Sequence, residues 1–135
     1  MLDEKSKQIL EQLLKNSRLS FRDIAKKLNI SAGTVITRVK QMEKANIIMG
    51  YSVILDHENM GYELTAVTEI LVSKGKLLKV EKEISKLQNV CAVYDVTGET
   101  DAIVISKFKN RKDLSRFTKE LLGIPFVERA NTHVV

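Results

Sequence analysis

Residues 31–44 of the chain have the sequence SAGTVITRVKQMEK, and the periodicity of this stretch predicts a helix. Val35, Val39 and Met42 recur at i, i+4 and i+7, so they share one face that must be buried. At about 100° per residue, the opposite face is small and polar at its start and basic toward its end. That face carries Gly33, Thr37, Lys40, Gln41 and Lys44, with Thr34 and Arg38 on its flanks.

Two interpretations fit this outer face. A helix that enters a DNA major groove needs short polar side chains near its N-terminus and Lys or Arg for phosphates further along. An ordinary amphipathic helix with a solvated basic face has the same pattern. Arg38 lies on the flank, where its guanidinium either contacts a DNA phosphate or forms an ion pair with Glu43 or Asp23. The candidate DNA-binding residues are Ser31, Gly33, Thr34, Thr37, Arg38, Lys40, Gln41 and Lys44.

The residues before this helix favour DNA binding. A first helix is predicted from Glu4 to Lys15, with Asp3 as N-cap and Asn16 as a left-handed stop. A short second helix begins at a capping box in residues 20–23 and ends at Asn29. Only Asn29 and Ile30 separate it from the Ser31 cap, so the two helices must cross steeply, as in a helix-turn-helix.

The positive charge is concentrated in the same part of the chain. Residues 1–50 hold ten Lys or Arg and five Asp or Glu, whereas residues 51–135 hold twelve of each sign. A phosphate-bearing partner is the simplest reason for this asymmetry, and a membrane surface is a weaker candidate. No apolar run is long enough to cross a bilayer and the N-terminus is no signal peptide, so the predicted location is the cytoplasm.

The remaining sequence predicts a second domain. Residues 47–55 are interpreted as an exit strand, and the polar, turn-rich residues 56–61 mark a boundary. The predicted domains are 1–50, a linker 51–61, and 62–135. Strands are predicted at 64–72, 90–97, 102–108 and 126–135, with helices at 77–87 and from the Asn110 cap to 123. Cys91, in an apolar run, is expected to be a buried strand residue.

The predicted order β-α-β-β-α-β is that of a ferredoxin-like fold, with both helices on one face of an antiparallel sheet. The whole chain is therefore predicted to be α+β: an N-terminal, winged-helix-like helix-turn-helix domain and a C-terminal ferredoxin-like domain. The first strand is apolar on both faces, which predicts that a second copy covers the uncovered face. Such a dimer places two recognition helices on half-sites of a palindromic operator about 34 Å apart.

Over essentially its whole length, the sequence resembles the Lrp/AsnC, or feast/famine, family of prokaryotic transcription regulators. The most specific part is the pattern S-x-x-D-I-A-x-x-L-N-I-S at residues 20–31, followed by R-V-x-x-M at 38–42. IIMGY at 47–51 and GETD at 98–101 also match. Asn46 stands where the family usually has Gly, and the chain stops where many relatives continue, which leaves higher-order assembly open.

The resemblance implies dimers that often associate into octamers, and an effector site for amino acids in the second domain. It places that site at the turn made by Gly98, Glu99, Thr100 and Asp101, where Glu99 or Asp101 is suited to an ammonium group. The alternative is a simple hairpin turn, which the composition also favours. Thr132, with its neighbour His133, either lines the same pocket or is an ordinary sheet residue.

Three functions remain to be separated. The first is a dimeric, sequence-specific transcription regulator with an amino-acid effector, and the second is an architectural DNA binder without one. The third is an enzyme similar to the haem-pathway decarboxylases that share this scaffold. The chain has only two histidines, and no catalytic triad, metal-ligand spacing or phosphate loop is visible. The sequence therefore predicts no enzyme, no metal and no cofactor.

Overall fold

The computed structural model describes residues 2–135, which form two compact units, the first ending at Ile54 and the second running from Leu55 to Val135. The boundary between them falls within the predicted linker. The first unit contains three helices, α1 (Glu4–Lys15), α2 (Phe21–Leu28) and α3 (Ala32–Lys44). Their buried sides form one apolar core of Ile9, Leu13, Ile24, Ala25, Val35, Val39 and Met42. The predicted helix-turn-helix is therefore confirmed.

Each helix of the first unit begins at a side-chain cap. The oxygens of Asp3, Ser20 and Ser31 accept the backbone N–H of the residue three positions later, at 2.9 to 3.1 Å. Each of these bonds satisfies one N–H that the first turn of a helix leaves without an intrahelical partner. The starts of all three helices are thus determined locally, by residue type and spacing.

Left-handed residues follow α2 and α3, but the left-handed stop predicted after α1 is wrong. Asn29 and Asn46 have φ of 53° and 56°, the region that Asn tolerates better than most residues. Asn16 instead has φ of −154° and is extended, and its side-chain oxygen accepts the N–H of Arg18 at 3.0 Å. A local side-chain bond therefore replaces the left-handed turn after α1.

The second unit is a four-stranded antiparallel sheet covered by two helices. In chain order it comprises β1 (Leu64–Val72), α4 (Leu77–Ile84), β2 (Val90–Asp95), β3 (Ala102–Phe108), α5 (Arg111–Gly123) and β4 (Val127–Val134). The strands lie in the spatial order β2-β3-β1-β4. This is the predicted ferredoxin-like arrangement, and the bounds predicted for β1 and β3 match the structure.

Both helices pack on the same face of this sheet. Alternate residues of β1, from Ala66 to Val72, are buried beneath them, and the ring of Phe117 on α5 lies 5.0 Å from that of Phe108 on β3. The alternate residues on the opposite face, including Val67, Leu71, Ile103 and Ile105, are only half-buried. The second unit therefore has a covered face and an open face of its sheet.

Four local predictions are wrong. Residues 47–55 form no strand, because no neighbouring strand among the described residues pairs with their backbone. The helix predicted to reach residue 87 ends at Ile84, and the strand predicted to reach residue 97 ends at Asp95. Cys91 is exposed rather than buried, since a register shift between Val90 and Ala92 leaves it unpaired on the edge strand β2.

Glu81 on α4 gives a prediction about stability. Burial, and secondarily the Asp95 carboxylate, raise the pKa of Glu81 above its ordinary value, and its Oε1 is buried without a hydrogen-bond partner. A raised native pKa means that the charged form destabilises the fold, so stability falls as the pH rises through the native pKa. We expect Glu81→Gln to raise the unfolding free energy at pH 7 by at most about 1 kcal/mol.

This gain should shrink as the pH falls toward the ordinary pKa of Glu, because the wild-type carboxyl is then neutral as well. Denaturant unfolding at several pH values measures it. Glu120→Gln, at an exposed position of α5, is the matched control and should leave stability nearly unchanged. A stabilisation that is constant between pH 4 and pH 7 would contradict the assignment.

Candidate DNA interface and effector recess

The outer face of α3 is open to solvent. Val35, Val39 and Met42 hold the helix against α1 and α2, which leaves the opposite side uncovered by the first unit. The predicted contact residues on that side are all exposed: Gly33, Thr37, Lys40, Gln41 and Lys44. The structure therefore brings these five side chains together on one surface, with no carboxylate among them.

The N-terminus of α3 is built from hydroxyl groups. The Ser31 hydroxyl accepts the N–H of Thr34 at 3.1 Å and lies 2.8 Å from the Thr34 hydroxyl. Gly33 lies between them, and a Cβ added there would meet only the Ser31 hydroxyl, at 4.0 Å. The fold of the chain therefore does not require a glycine at this position.

Arg38 forms an ion pair that was not predicted. Its guanidinium binds the carboxylate of Asp3, the residue that also caps α1, rather than Glu43 or Asp23. About one third of the Arg38 side chain is exposed, so the pair lies at the edge of the outer face of α3. The pairing could not be found from periodicity, because Asp3 and Arg38 are 35 residues apart.

The second unit has a polar recess of about 420 Å³ beside the turn after β2. Glu69 and Leu71 of β1 form one wall, and Arg129 and Asn131 of β4 lie opposite. Glu99 and Thr100 of the predicted effector turn complete the lining, together with Ala130. The recess therefore combines two carboxylates, a guanidinium, an amide, a hydroxyl and two apolar side chains.

The turn at residues 98–101 is fastened to β1. The Thr100 hydroxyl and the Asp101 N–H both donate to the Ile70 carbonyl, at 2.8 and 2.9 Å. The Asp101 carboxylate accepts the N–H of Val72 at 2.7 Å, at the point where the pairing of β1 with β4 shifts register. Asp101 thus holds the backbone of the turn, and of the two carboxylates predicted to bind an ammonium group only Glu99 lines the recess.

The structure does not place Thr132 in this recess. Its hydroxyl lies 3.1 Å from that of Thr68, which is buried on the covered face of the sheet. Its neighbour His133 is on the open face, where Nε2 lies 3.2 Å from Glu69 Oε1. The sequence alone missed Glu69, Arg129 and Asn131, because their convergence depends on the register of β1 against β4.

Each of the two units matches a known family of protein domains. A model of winged helix-turn-helix DNA-binding domains matches residues 2–49. A model of the Lrp/AsnC ligand-binding domain matches residues 65–135, which is more than half of the chain. The chain belongs to the Lrp/AsnC family. The predicted resemblance is thereby confirmed, and the protein is a DNA-binding transcription regulator.

Relatives of this Lrp/AsnC regulator occur in archaea and bacteria. An uncharacterized HTH-type transcriptional regulator of Pyrococcus abyssi is 50% identical over 135 residues, which cover 100% of this chain and 92% of that protein. The regulator Ptr1 of Methanocaldococcus jannaschii is 34% identical over 89% of this chain and 81% of its own length. These relatives carry the name of regulators and not of enzymes.

A solved structure extends the comparison to ligands. A transcriptional regulator of Neisseria meningitidis, determined as a complex with L-Met, superposes with a TM-score of 0.93. It is 26% identical and matches 100% of this chain and 90% of that one.

No helix in residues 2–135 is long and apolar enough to span a membrane. Within the same residues, no three His, Cys, Asp or Glu side chains cluster as metal ligands would.

Gly33 gives a prediction that separates folding from DNA binding. Ala is favoured over Gly in a helix by about 0.5–1 kcal/mol, and the structure has room for its Cβ, so Gly33→Ala should maintain or raise the melting temperature. If α3 approaches base edges at its N-terminus, the added methyl group obstructs the approach and weakens operator binding several-fold. Thermal melting and fluorescence anisotropy measure the two effects. Equal operator affinity of the variant and the wild type would place Gly33 outside the interface.

Proposed function

We propose that this regulator is a homodimer that reads a palindromic operator with α3 and responds to a free amino acid bound in the recess of its second unit. The observation that carries the DNA-binding part is the exposed outer face of α3, with its small polar start, its basic end and its lack of carboxylates. We further propose that the protein has no catalytic activity of its own.

In this proposal the residues of α3 and its N-cap divide into three sets. The exposed Thr37 and Gln41 and the small Gly33 face base edges, where hydroxyl and amide groups provide direct readout. Lys40 and Lys44 contact phosphates, which supply most of the affinity and make it salt-dependent. At the edges of the face, Ser31, Thr34 and Arg38 contact the DNA backbone and fix the register of the helix.

Dimerisation is supported by the open face of the sheet. Val67, Ile103 and Ile105 lie together there, because Val67 pairs with Ile105 and the side chains alternate between the faces. These side chains remain half-exposed in the single chain, and a second copy would bury them. Two-fold symmetry then matches a palindromic operator, and further association of dimers gives an octamer.

The effector class follows from the charges in the recess. An amino acid has a carboxylate and an ammonium group on one carbon. Arg129 is suited to bind the carboxylate through two parallel N–H bonds, and Glu69 or Glu99 to bind the ammonium group. Leu71 offers an apolar wall to the side chain of the ligand. The L-Met complex of the Neisseria neighbour supports this ligand class.

The recognition helix is tested by a double variant. Thr37→Ala with Lys40→Ala should lower operator affinity at fixed salt by at least tenfold, because one base contact and one phosphate contact are lost together. Footprinting on the upstream region of the protein's own gene identifies an operator, and anisotropy then gives the affinities. Lys15→Ala with Ser17→Ala removes the same two kinds of group at exposed positions outside α3 and is the matched control. Equal affinities of the two double variants would refute the assignment.

The effector site is tested by thermal shift. A ligand that binds only the native state raises the free energy of unfolding, by about 2.7 kcal/mol when its concentration is 100 times Kd. The melting temperature rises with it. We expect at least one of the twenty amino acids to give such a shift with the wild type, and Arg129→Gln to abolish it. Arg111→Gln removes the same charge from an exposed position on α5 and should retain the shift. If no amino acid stabilises the wild type, the effector is refuted and an architectural role is favoured.

A further inference from the structure

We infer that the two helices of the second unit form a second DNA-backbone contact surface, independent of α3. The inference rests on a separation of charge that the fold produces. We define the helix layer as α4, α5 and their flanking turns, residues 73–89 and 109–124. This layer holds ten Lys or Arg and four Asp or Glu, a net charge of +6. The rest of residues 55–135 holds two basic and eight acidic residues, a net charge of −6.

The basic side chains of the helix layer all point to solvent. The apolar sides of α4 and α5 pack on the sheet, through Val80, Ile84, Phe117 and Leu121, so their remaining sides face away from it. The ten exposed basic residues are Lys74, Lys76, Lys79, Lys82, Lys86, Lys109, Arg111, Lys112, Arg116 and Lys119. The net charge of the second unit is zero, but the charges are separated in space, and the helix side of the unit is strongly basic.

The acidic residues do not neutralise this surface. Within the layer, Glu81 and Asp113 are partly buried, and only the pairs Lys86–Glu83 and Arg116–Asp113 are ion pairs, each with N–O distances of 2.9 Å. The eight other acidic residues lie on the strands and turns outside the helix layer. One of these, Glu128, lies at the edge of the layer, where its carboxylate accepts the Ser73 hydroxyl at 3.1 Å. Counting Glu128 with the layer lowers the net charge from +6 to +5, so the surface remains strongly basic.

Two of these lysines lie close to one aromatic ring. The ammonium groups of Lys76 and Lys79 lie 5.0 and 5.2 Å from the centre of the Phe126 ring, within the range of cation–π attraction. The Phe126 backbone has φ of 75°, a conformation that is strained for a bulky side chain, and its carbonyl accepts the Ser73 N–H at 2.9 Å. Two like charges are thus restrained near one ring at the start of α4, with Lys74 in the adjacent turn.

Double-stranded DNA is the partner that fits best. The chain already binds DNA, and exposed Lys and Arg spread over two helices suit an extended array of phosphates. The recess between α4 and α5 has the carboxylates of Asp113 and Glu120 beside Lys86 and Arg116, which disfavours a small anion there. An anionic membrane is the rival, but it needs a broad apolar face, and the helix layer offers only the isolated Leu78 and Leu122 as exposed large apolar side chains. The surface is therefore expected to bind DNA without sequence preference and to add to the affinity that α3 supplies.

The experiment measures how DNA affinity of the full chain depends on salt. The logarithm of the binding constant falls with the logarithm of salt concentration by about 0.9 for each phosphate contact. On a non-operator duplex several helical turns long, Lys79→Gln should reduce this slope by up to about 0.9, and Lys74→Gln with Lys76→Gln and Lys79→Gln by about 2–3. Lys107→Gln, which removes one charge from the open face of the sheet, is the matched control and should leave the slope unchanged.

Two results would overturn the inference. One is an unchanged slope in the triple variant while its melting temperature equals that of the wild type. The other is an equal loss in Lys79→Gln and Lys107→Gln, which would mean that only net charge matters. If the triple variant does not fold, Lys112→Gln with Lys119→Gln tests the same surface on α5, where neither side chain contacts Phe126. An unchanged slope in that folded variant likewise overturns the inference.

Further controls separate this inference from its rivals. Binding to vesicles of phosphatidylcholine and phosphatidylglycerol that falls in the triple variant, with DNA binding unaltered, would assign the surface to membranes instead. The Thr37→Ala, Lys40→Ala variant tests α3 separately. Adding the triple substitution to it should reduce the slope by the same further amount, since the two surfaces are independent. Failure of either surface is therefore visible without the other.

Discussion

The first unit depends on the short joint between α2 and α3. Asn29 adopts a left-handed conformation with φ of 53°, the N–H of Ile30 donates to the Ala25 carbonyl at 3.0 Å, and Ser31 at once caps the next helix. With so few residues between them the helices cannot lie side by side, and α3 crosses α2 steeply. Because Val35 and Val39 then enter the common core, the opposite face of α3 has no neighbour within the unit and is available to DNA.

The second unit separates its surfaces in a comparable way. A ferredoxin-like sheet has its helices on one face only, so the chemistry of the two sides differs. The covered side presents the basic outer surfaces of α4 and α5, and the open side presents a half-exposed apolar centre. The recess lies where β1 and β4 meet the turn fastened by Asp101. Assembly and effector binding are thus proposed for the open side of this small domain, and DNA contact for its helix side.

Much of the fold could be predicted because its signals are local. The caps Asp3, Ser20 and Ser31, the left-handed Asn29 and the alternation in β1 each depend on residues within one or two turns of chain. Two of the errors occurred where distant segments decide. A strand at 47–55 needs a partner that the single chain does not supply, and the burial of Cys91 depended on the register of β2 against β3.

The sequence by itself determined that α3 has one apolar and one basic face and that helices and strands alternate as they do, because periodicity and capping act between near neighbours. Only the tertiary structure decided which distant side chains meet. It paired Arg38 with Asp3, brought Arg129 and Glu69 into one recess, and turned Thr132 away from that recess. It also gathered ten basic residues on one side of an electrically neutral unit, since charge separation in space requires the fold.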